Sequence, residues 1–220
     1  MKIIRDSSEE EMILEFLKGE IKSVRFNEDL IKVLKKLNID EKIIQNGDIS
    51  NSDENRKRLE IMKLFRGYPN QELFNNFPII KKWKYAQLSF NDMKNIYYIN
   101  YDYWNELSNN TGSPYEAAKN VKKGIEIYDV SNKPFLEGEK YLENNKFPPV
   151  ILITCNDKKY LIIEGHSRMT IYALNPHKLE GTYAYIGYCS EKEMQKYDFS
   201  VEMFYILCLF KEKLFHIGWL

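Results

Sequence analysis

The chain lacks a net charge, long hydrophobic runs and any surplus of cysteine. Lysine plus arginine number 32, and aspartate plus glutamate also number 32, among 220 residues. No overall basic field therefore favours binding to nucleic acid or to anionic membranes. The longest apolar run, residues 203–210, is too short to span a bilayer. The acidic N-terminus has no apolar stretch typical of a signal peptide, so we expect a cytoplasmic protein with no membrane partner.

Cysteine is scarce, and its pattern bears on the redox compartment. The three cysteines are Cys155, Cys189 and Cys208, and each lies in an apolar run. Their odd number and wide spacing fit buried, reduced thiols better than a disulfide framework or a zinc site. This pattern agrees with a reducing cytoplasm.

Helical patterns dominate the first third of the chain. Ser7 followed by Glu10 makes a capping-box pattern before an apolar stretch, and leucines recur at helical spacing behind Asn27. A third helix is expected at about residues 54–65. The polar, turn-rich residues 45–55 are predicted to form a linker or an exposed loop.

The rest of the chain alternates between strand and helix patterns. Aromatic and β-branched residues indicate strands at 83–88 and 96–101. Ser113 before Pro114 marks a helix start, and Gly124 marks its end. Further patterns predict a helix at about 134–144, a hairpin of strands 150–154 and 160–163, a helix at 169–174, a strand at 182–188 and a helix capped by Ser190.

These patterns together predict an α/β (α+β) fold, a small mixed sheet with flanking helices. We expect a helical N-terminal segment over residues 1–80 and an α/β domain over residues 81–220. The apolar tail, residues 203–220, suits packing on its own core or on another subunit, so a homo-oligomer is left open.

The turn that carries chemistry is Glu164-Gly165-His166-Ser167-Arg168. A strand that runs through a glycine turn into a helix leaves the first helical N–H groups unpaired, with the positive end of the macrodipole behind them. Gly165 lets the backbone approach a ligand closely, and Ser167 adds a hydroxyl. Arg168 adds a planar fork that suits phosphate, and His166 adds a hydrogen-bond donor. The sequence therefore predicts a phosphate-binding strand-to-helix junction.

Glu164 is the residue of this turn whose role physics constrains most. A carboxylate about 4 Å from a phosphate oxygen would face repulsion on the order of 4 kcal/mol at an effective dielectric near 20. Two arrangements avoid this repulsion. In the first, Mg²⁺ lies between the two groups, and Glu164 is a metal ligand or a general base. In the second, Glu164 points away from the phosphate and is a structural hydrogen-bond acceptor at the turn.

The surrounding residues resemble a known superfamily. The stretch Pro149-Val150-Ile151-Leu152, then Tyr160 through the turn to Arg168, and on to Ala173-Leu174, resembles the core of the ParB/sulfiredoxin-like superfamily over roughly residues 135–174. Its Gly-His-Ser-Arg is closer to the acid-Gly-His-His-Arg turn of the free serine kinases than to the Gly-Glu-Arg-Arg of the chromosome-partitioning CTPases. The resemblance implies a magnesium nucleotide, ATP, ADP or CTP, whose phosphates contact Gly165 to Arg168.

Two residues of the turn depart from the superfamily pattern. Sulfiredoxins carry a nucleophilic cysteine at the position of His166, so the resemblance does not imply sulfinic-acid repair. Ser167 stands where the other branches usually place a second basic group. A serine-hydrolase interpretation of the same turn fails at Met169, where the second glycine of a nucleophile elbow would stand.

Residues outside the turn are weaker candidates for the same site. Arg66, beside Gly67, is predicted to contact a second phosphate, or only to favour a helix dipole. The aromatic side chains of Tyr101, Tyr103 and Trp104 suit stacking on a nucleotide base, or ordinary packing of a sheet on helices.

Three functional hypotheses follow. The leading one is a nucleotide-binding enzyme that transfers a terminal phosphate to a small-molecule acceptor or hydrolyses it, with Glu164 and His166 catalytic and Glu164 also holding Mg²⁺. The alternative is a non-catalytic protein that binds a nucleotide or a nucleotide-derived signal. The further alternative is a DNA-binding or DNA-processing ParB-like protein. Nucleic acid is the less favoured partner because the chain shows neither a convincing helix-turn-helix reader nor a basic surplus.

Overall fold

One mixed sheet runs through the part of the chain that the computed structural model describes, residues 1–23, 26–71 and 74–197. Its strands are β1 (Lys2–Ser7), β2 (Lys82–Gln87), β3 (Ile96–Tyr98), β4 (Val150–Thr154), β5 (Tyr160–Glu164) and β6 (Tyr183–Tyr188). Their spatial order is β1-β2-β6-β4-β5-β3. The pairs β4·β6 and β3·β5 are parallel, and the other three are antiparallel. The predicted mixed sheet with flanking helices is confirmed.

Helices cover both faces of this sheet. The helices are α1 (Glu9–Ile21), α2 (Asn27–Leu37), α3 (Lys42–Gln45), α4 (Ser52–Arg66), α5 (Asp102–Leu107), α6 (Pro114–Lys122), α7 (Lys133–Tyr141) and α8 (His166–Leu174). Residues 191–197 are also helical. On one face, α1 to α4 pack with Ile151 and Ile163 in a single buried cluster. On the other face, α5 to α8 pack with Leu152 and Ile162 in a second cluster. The central strands are therefore buried on both sides.

The central hairpin shows why its sequence is continuously apolar. All five residues of β4 are buried, as are the first four of β5. A strand covered on both faces has no solvent side on which polar residues would alternate. The predicted strands 150–154 and 160–163 are thus confirmed, and the predicted helix behind Ser113 is confirmed as α6, with Gly124 at φ +74° after its end.

The N-terminus departs from the expected helical pattern. Residues 2–7 form β1, an edge strand that pairs antiparallel with β2. The cap of α1 is Ser8, whose hydroxyl accepts from the Glu11 amide at 3.3 Å, rather than Ser7. The division at residue 80 stays a prediction, although β1 and α1 to α4 pack on the sheet that the later residues form.

The segment predicted as a linker is held by a buried arginine. Arg58 of α4 is 1% exposed, and its Nη1 donates to the Ile43 carbonyl at 2.7 Å. Its Nη2 donates to the Asp48 carbonyl at 2.8 Å, and Nη1 also pairs with Glu54 at 2.9 Å. These bonds hold residues 46–51 against α4. Most side chains of this segment are exposed and it has no helix or strand, so of the two alternatives the exposed loop is confirmed.

Two sequence features concern membranes and the tail. Among the described residues, no helix is long and apolar enough to cross a bilayer. The tail 203–220, whose packing the sequence left open, lies outside the described residues. Its contacts are therefore not part of the fold described above.

We predict that Arg58→Ala lowers the free energy of unfolding by about 2–4 kcal/mol, because it removes the side-chain donor of two carbonyl groups and the ion-pair partner of Glu54. The matched control is Arg56→Ala on the same helix. Arg56 is 77% exposed in its pair with Asp53, so its loss should cost about 0.5 kcal/mol or less. Urea denaturation of the two variants measures both values, and equal costs would contradict the role given to Arg58.

Candidate functional site at the β5–α8 turn

Gly165 allows β5 to pass directly into α8. Its φ is +104°, a region that residues with a side chain rarely adopt, and it is the N-cap of the helix. A Cβ at this position would lie 2.6 Å from Val150 Cγ1. The helix begins at His166, three residues before the predicted start at Met169. The residues His166, Ser167 and Arg168 therefore form its first turn, as a phosphate site requires.

A β-bulge sets the direction of Glu164. Ile151 pairs with Glu164 while Leu152 pairs with Ile162, so Ile163 is an extra residue in β5. Such a bulge re-aims the side chains beside it. Glu164 Oε1 lies 3.5 Å from the position that a Cβ on Gly19 would occupy, which places the carboxylate against α1.

The guanidinium of Arg168 is fully engaged at the turn. Its Nη1 donates to the Pro148 carbonyl at 2.8 Å and to the Pro149 carbonyl at 2.6 Å. Its Nη2 forms an ion pair with Glu164. Burial lowers the pKa of Arg168 to about 10, an effect that Glu15 partly offsets, so the group remains charged at neutral pH. In this structure the Glu164 carboxylate is a structural partner of Arg168 at the turn.

His166 points to the opposite face of the sheet. Its ring stacks on Trp104 with centroids 5.4 Å apart and on Tyr98 with centroids 5.9 Å apart. Burial lowers the pKa of His166 from 6.5 to about 3, so the imidazole is neutral. Its Nε2 is enclosed and has no hydrogen-bond partner. The two basic residues of the motif therefore do not converge on one point.

Ser167 is the exposed member of the turn. It lies in the first turn of α8, where the N-cap is a glycine and no side chain accepts a hydrogen bond from the helix. The first amides of a helix have no intrahelical acceptor and carry the positive end of the macrodipole. Ser167 is thus an exposed side chain at the end of α8 where the positive end of the macrodipole lies.

Arg66 is held by α1. It lies in the last turn of α4 and forms an ion pair with Glu20. Its guanidinium stacks over the Phe26 ring at 3.8 Å from the centroid. Glu20 is the neighbour of Gly19, which contacts the Glu164–Arg168 pair. Arg66 therefore contacts the part of α1 that also packs against the turn, but its charge is already paired with Glu20.

The three aromatic candidates separate in the structure. Trp104 packs beside His166, and Tyr103 contacts Trp104 edge-on with centroids 4.9 Å apart. Tyr101 instead packs against the cluster on the α1 face. The hydroxyl of Tyr103 is buried without a hydrogen-bond partner. Only Tyr103 and Trp104 of this group thus lie on the His166 side of the turn.

The sequence reasoning missed the contribution of α1. Burial raises the pKa of Glu15, whose charge interacts with Lys18, Arg168 and Lys22 in that order. Gly19 lets α1 approach the Glu164–Arg168 pair. Residues 15, 18, 19 and 22 recur at helical spacing, and this stripe of charge and glycine on an otherwise buried helix was a readable signal.

Two further observations concern metal binding and proteins similar to this chain. Within residues 1–23, 26–71 and 74–197, no group of three or more histidine, cysteine, aspartate or glutamate side chains is placed to hold a metal ion. Comparison with family models, with curated proteins and with solved structures finds no match for this chain. The ParB/sulfiredoxin-like resemblance therefore stays a prediction.

We predict that Gly165→Ala destabilises the fold more than Gly124→Ala does. Both glycines have positive φ, and a Cβ at Gly124 would meet nothing within 4 Å. Left-handed strain alone should cost about 1–2 kcal/mol. Gly165→Ala adds the clash with Val150, worth about 1–3 kcal/mol more. Urea denaturation measures the difference, and similar values for the two variants would contradict the tight packing of this turn.

We also predict that His166 makes the free energy of unfolding depend on pH. The unfolded chain takes up a proton below pH 6.5, whereas the folded chain keeps His166 neutral down to about pH 3. This stability is fully present above pH 6.5 and is lost as the pH falls. Between pH 7 and 5.5 the wild type should lose about 1 kcal/mol more than His166→Gln. Parallel stability curves for the two proteins would refute this.

Proposed function

We propose that this chain binds a phosphate-bearing nucleotide at the first turn of α8. The observation that carries the proposal is that a buried central strand passes through the left-handed Gly165 into a helix with no side-chain cap and with Ser167 exposed. Backbone amides in this position hold phosphate in many α/β proteins, at the carboxyl end of a strand. The ligand class is a nucleotide such as ATP, ADP or CTP, as the superfamily resemblance implies.

The Glu164–Arg168 ion pair supports this proposal electrostatically. An unpaired carboxylate at the turn would repel phosphate by an amount on the order of 4 kcal/mol at 4 Å and a dielectric near 20. Pairing with Arg168 largely neutralises that charge. The phosphate is then held by the first backbone amides of α8 and the Ser167 hydroxyl. Arg168 stabilises the turn and does not bind the ligand.

A Mg²⁺ ion at Glu164 does not fit this arrangement. The carboxylate is already paired, and the single acidic residue of the turn would have to leave Arg168 to bind the metal. We therefore assign no metal to Glu164 and no step to a metal ion. A nucleotide carries Mg²⁺ on its own phosphate oxygens, so the ion enters the tests below only as a component of the ligand.

Binding without turnover is the role that the side chains favour. The neutral His166 ring is enclosed and stacked, and Glu164 is paired, so neither holds an accessible proton acceptor. Transfer of the terminal phosphate to a small-molecule acceptor is the second candidate. The position of Glu164 beside Arg168 favours this second candidate. If a bound phosphate drew Arg168 away from Glu164, the ion pair would break and leave a free carboxylate next to the ligand.

We predict that Ser167→Asp abolishes nucleotide binding without harming the fold. An aspartate in the first helical turn interacts favourably with the macrodipole and stabilises the helix by about 0.3–1 kcal/mol. The same charge repels a phosphate at the amides and should weaken its binding roughly 100-fold. Ser167→Asn, which has the same shape without the charge, should retain binding. The assay is thermal stabilisation by nucleoside mono-, di- and triphosphates with and without Mg²⁺, where ligand at 100 times its Kd adds about 2.7 kcal/mol.

The controls separate phosphate recognition from other binding. Nucleosides without phosphate should give no stabilisation at this site. No shift of the wild type with any nucleotide contradicts the proposal, and equal shifts for Ser167→Asp and Ser167→Asn place the ligand elsewhere. The same samples, analysed for loss of the terminal phosphate, test the second candidate, which requires product from the wild type and none from Glu164→Gln.

A further inference from the structure

Two cysteines lie side by side where the parallel strands β4 and β6 end. The last pair in the ladder is Thr154 with Tyr188, and the next residues are Cys155 and Cys189. The Cys189 amide donates to the Thr154 carbonyl at 3.0 Å, so Cys189 lies beside the end of β4, and Cys155 follows Thr154 at the bend there. Neighbouring strands are about 4.7–4.9 Å apart, and disulfides join Cα atoms about 4.4–6.8 Å apart. The backbone spacing therefore suits a disulfide.

Both thiols face the same side of the sheet. Cys189 is buried in the cluster beneath α1 to α4, and Cys155 packs against that cluster while remaining half-buried. Both are free thiols. Burial, and then the nearby Cys155, raise the pKa of Cys189 to about 11. The buried thiol is thus protonated at rest, and the more accessible Cys155 is the one that an oxidant reaches first.

We propose that Cys155 and Cys189 form a redox modification site, which a hydroperoxide converts from a dithiol to an intramolecular disulfide. The site is independent of the proposed nucleotide turn, because it lies at the ends of β4 and β6 that face away from Pro149 and Tyr183. It agrees with the expectation of reduced thiols in the resting protein.

The chemistry requires one hydroperoxide and no metal or cofactor. The Cys155 thiolate attacks the peroxide, the O–O bond breaks, and Cys155 becomes a sulfenic acid as water or alcohol leaves. Cys189 then loses its proton, and its Sγ attacks the Cys155 Sγ. The S–S bond forms as the S–O bond breaks, and a water molecule leaves. The dithiol is oxidised by two electrons, and the peroxide is reduced by two.

The sequence makes the product easy to identify in the full chain. Lys158, Lys159 and Lys178 separate the two cysteines, and Lys196 separates Cys208 from both. Tryptic digestion therefore places each cysteine on a different peptide. After mild hydrogen peroxide treatment, the intact mass should fall by about 2 Da relative to the reduced chain, and alkylation of the denatured product should then label one of the three cysteines rather than all three. A disulfide-linked pair of peptides, 147–158 with 179–192, should appear.

Variants and an unfolded control decide the result. Cys208→Ser should retain the linked pair, while Cys155→Ser and Cys189→Ser should each lose it. In urea, where no register holds the thiols together, linkages that include Cys208 should also form. A native chain linked through Cys208, or one whose cysteines oxidise separately to sulfinic acids without a link, overturns the proposal. So does a native chain whose thiols all remain free while those of the unfolded chain oxidise.

Discussion

The ion pair between Arg168 and Glu164 joins the three chain segments on which the turn depends. Arg168 lies in α8, Glu164 ends β5, and the carbonyls of Pro148 and Pro149, just before β4, accept from the same guanidinium. The two side chains are only 14% and 17% exposed. A charge removed from water to that degree is stable only when it is paired and hydrogen-bonded. The geometry of the turn therefore follows from satisfying one arginine.

This engagement changes which groups recognise a ligand. A sequence that places an arginine two residues after a histidine suggests a cluster of positive charge around a phosphate. In the structure, Arg168 is neutralised from the α1 face and His166 is neutral on the other face. The remaining attraction for an anion comes from the dipole and amides of α8. The phosphate site that we propose at this turn would recognise its ligand by geometry more than by net charge, which suits a chain whose formal net charge is zero.

The predictable part of the fold is the part whose patterns are local. The four apolar residues Val150 to Ile153 of β4 predict a strand buried on both faces, and Ser113 before Pro114 predicts a helix start. The first strand was missed because β1 is an exposed edge strand, so its residues show no alternation between a buried and a solvent face. Ser8 was passed over for Ser7 because two adjacent serines offer the same cap.

The sequence named the residues of the candidate site but did not predict the directions of their side chains. The motif named the residues of the turn, whereas the directions of their side chains depend on the bulge at Ile163 and on the helix starting at His166. Neither feature has a signature in the sequence, because both arise from how β5 pairs with β4. Gly19 stands in a stripe of helical spacing that the sequence shows, but that this stripe packs against Glu164 follows only from the tertiary structure.

The parallel pair of β4 and β6 places the two proposed sites at opposite ends of one rigid element. Pro149 precedes β4 at the end where Arg168 is held, and Cys155 follows it at the other end. Closing a loop of about 35 residues with a disulfide should stabilise the fold by about 3–4 kcal/mol in the chain-entropy model. The two cysteines directly follow the last pair of the ladder, Thr154 with Tyr188, so we expect the bond to form without a shift of β4. Oxidation should therefore raise stability while leaving the proposed nucleotide site in place.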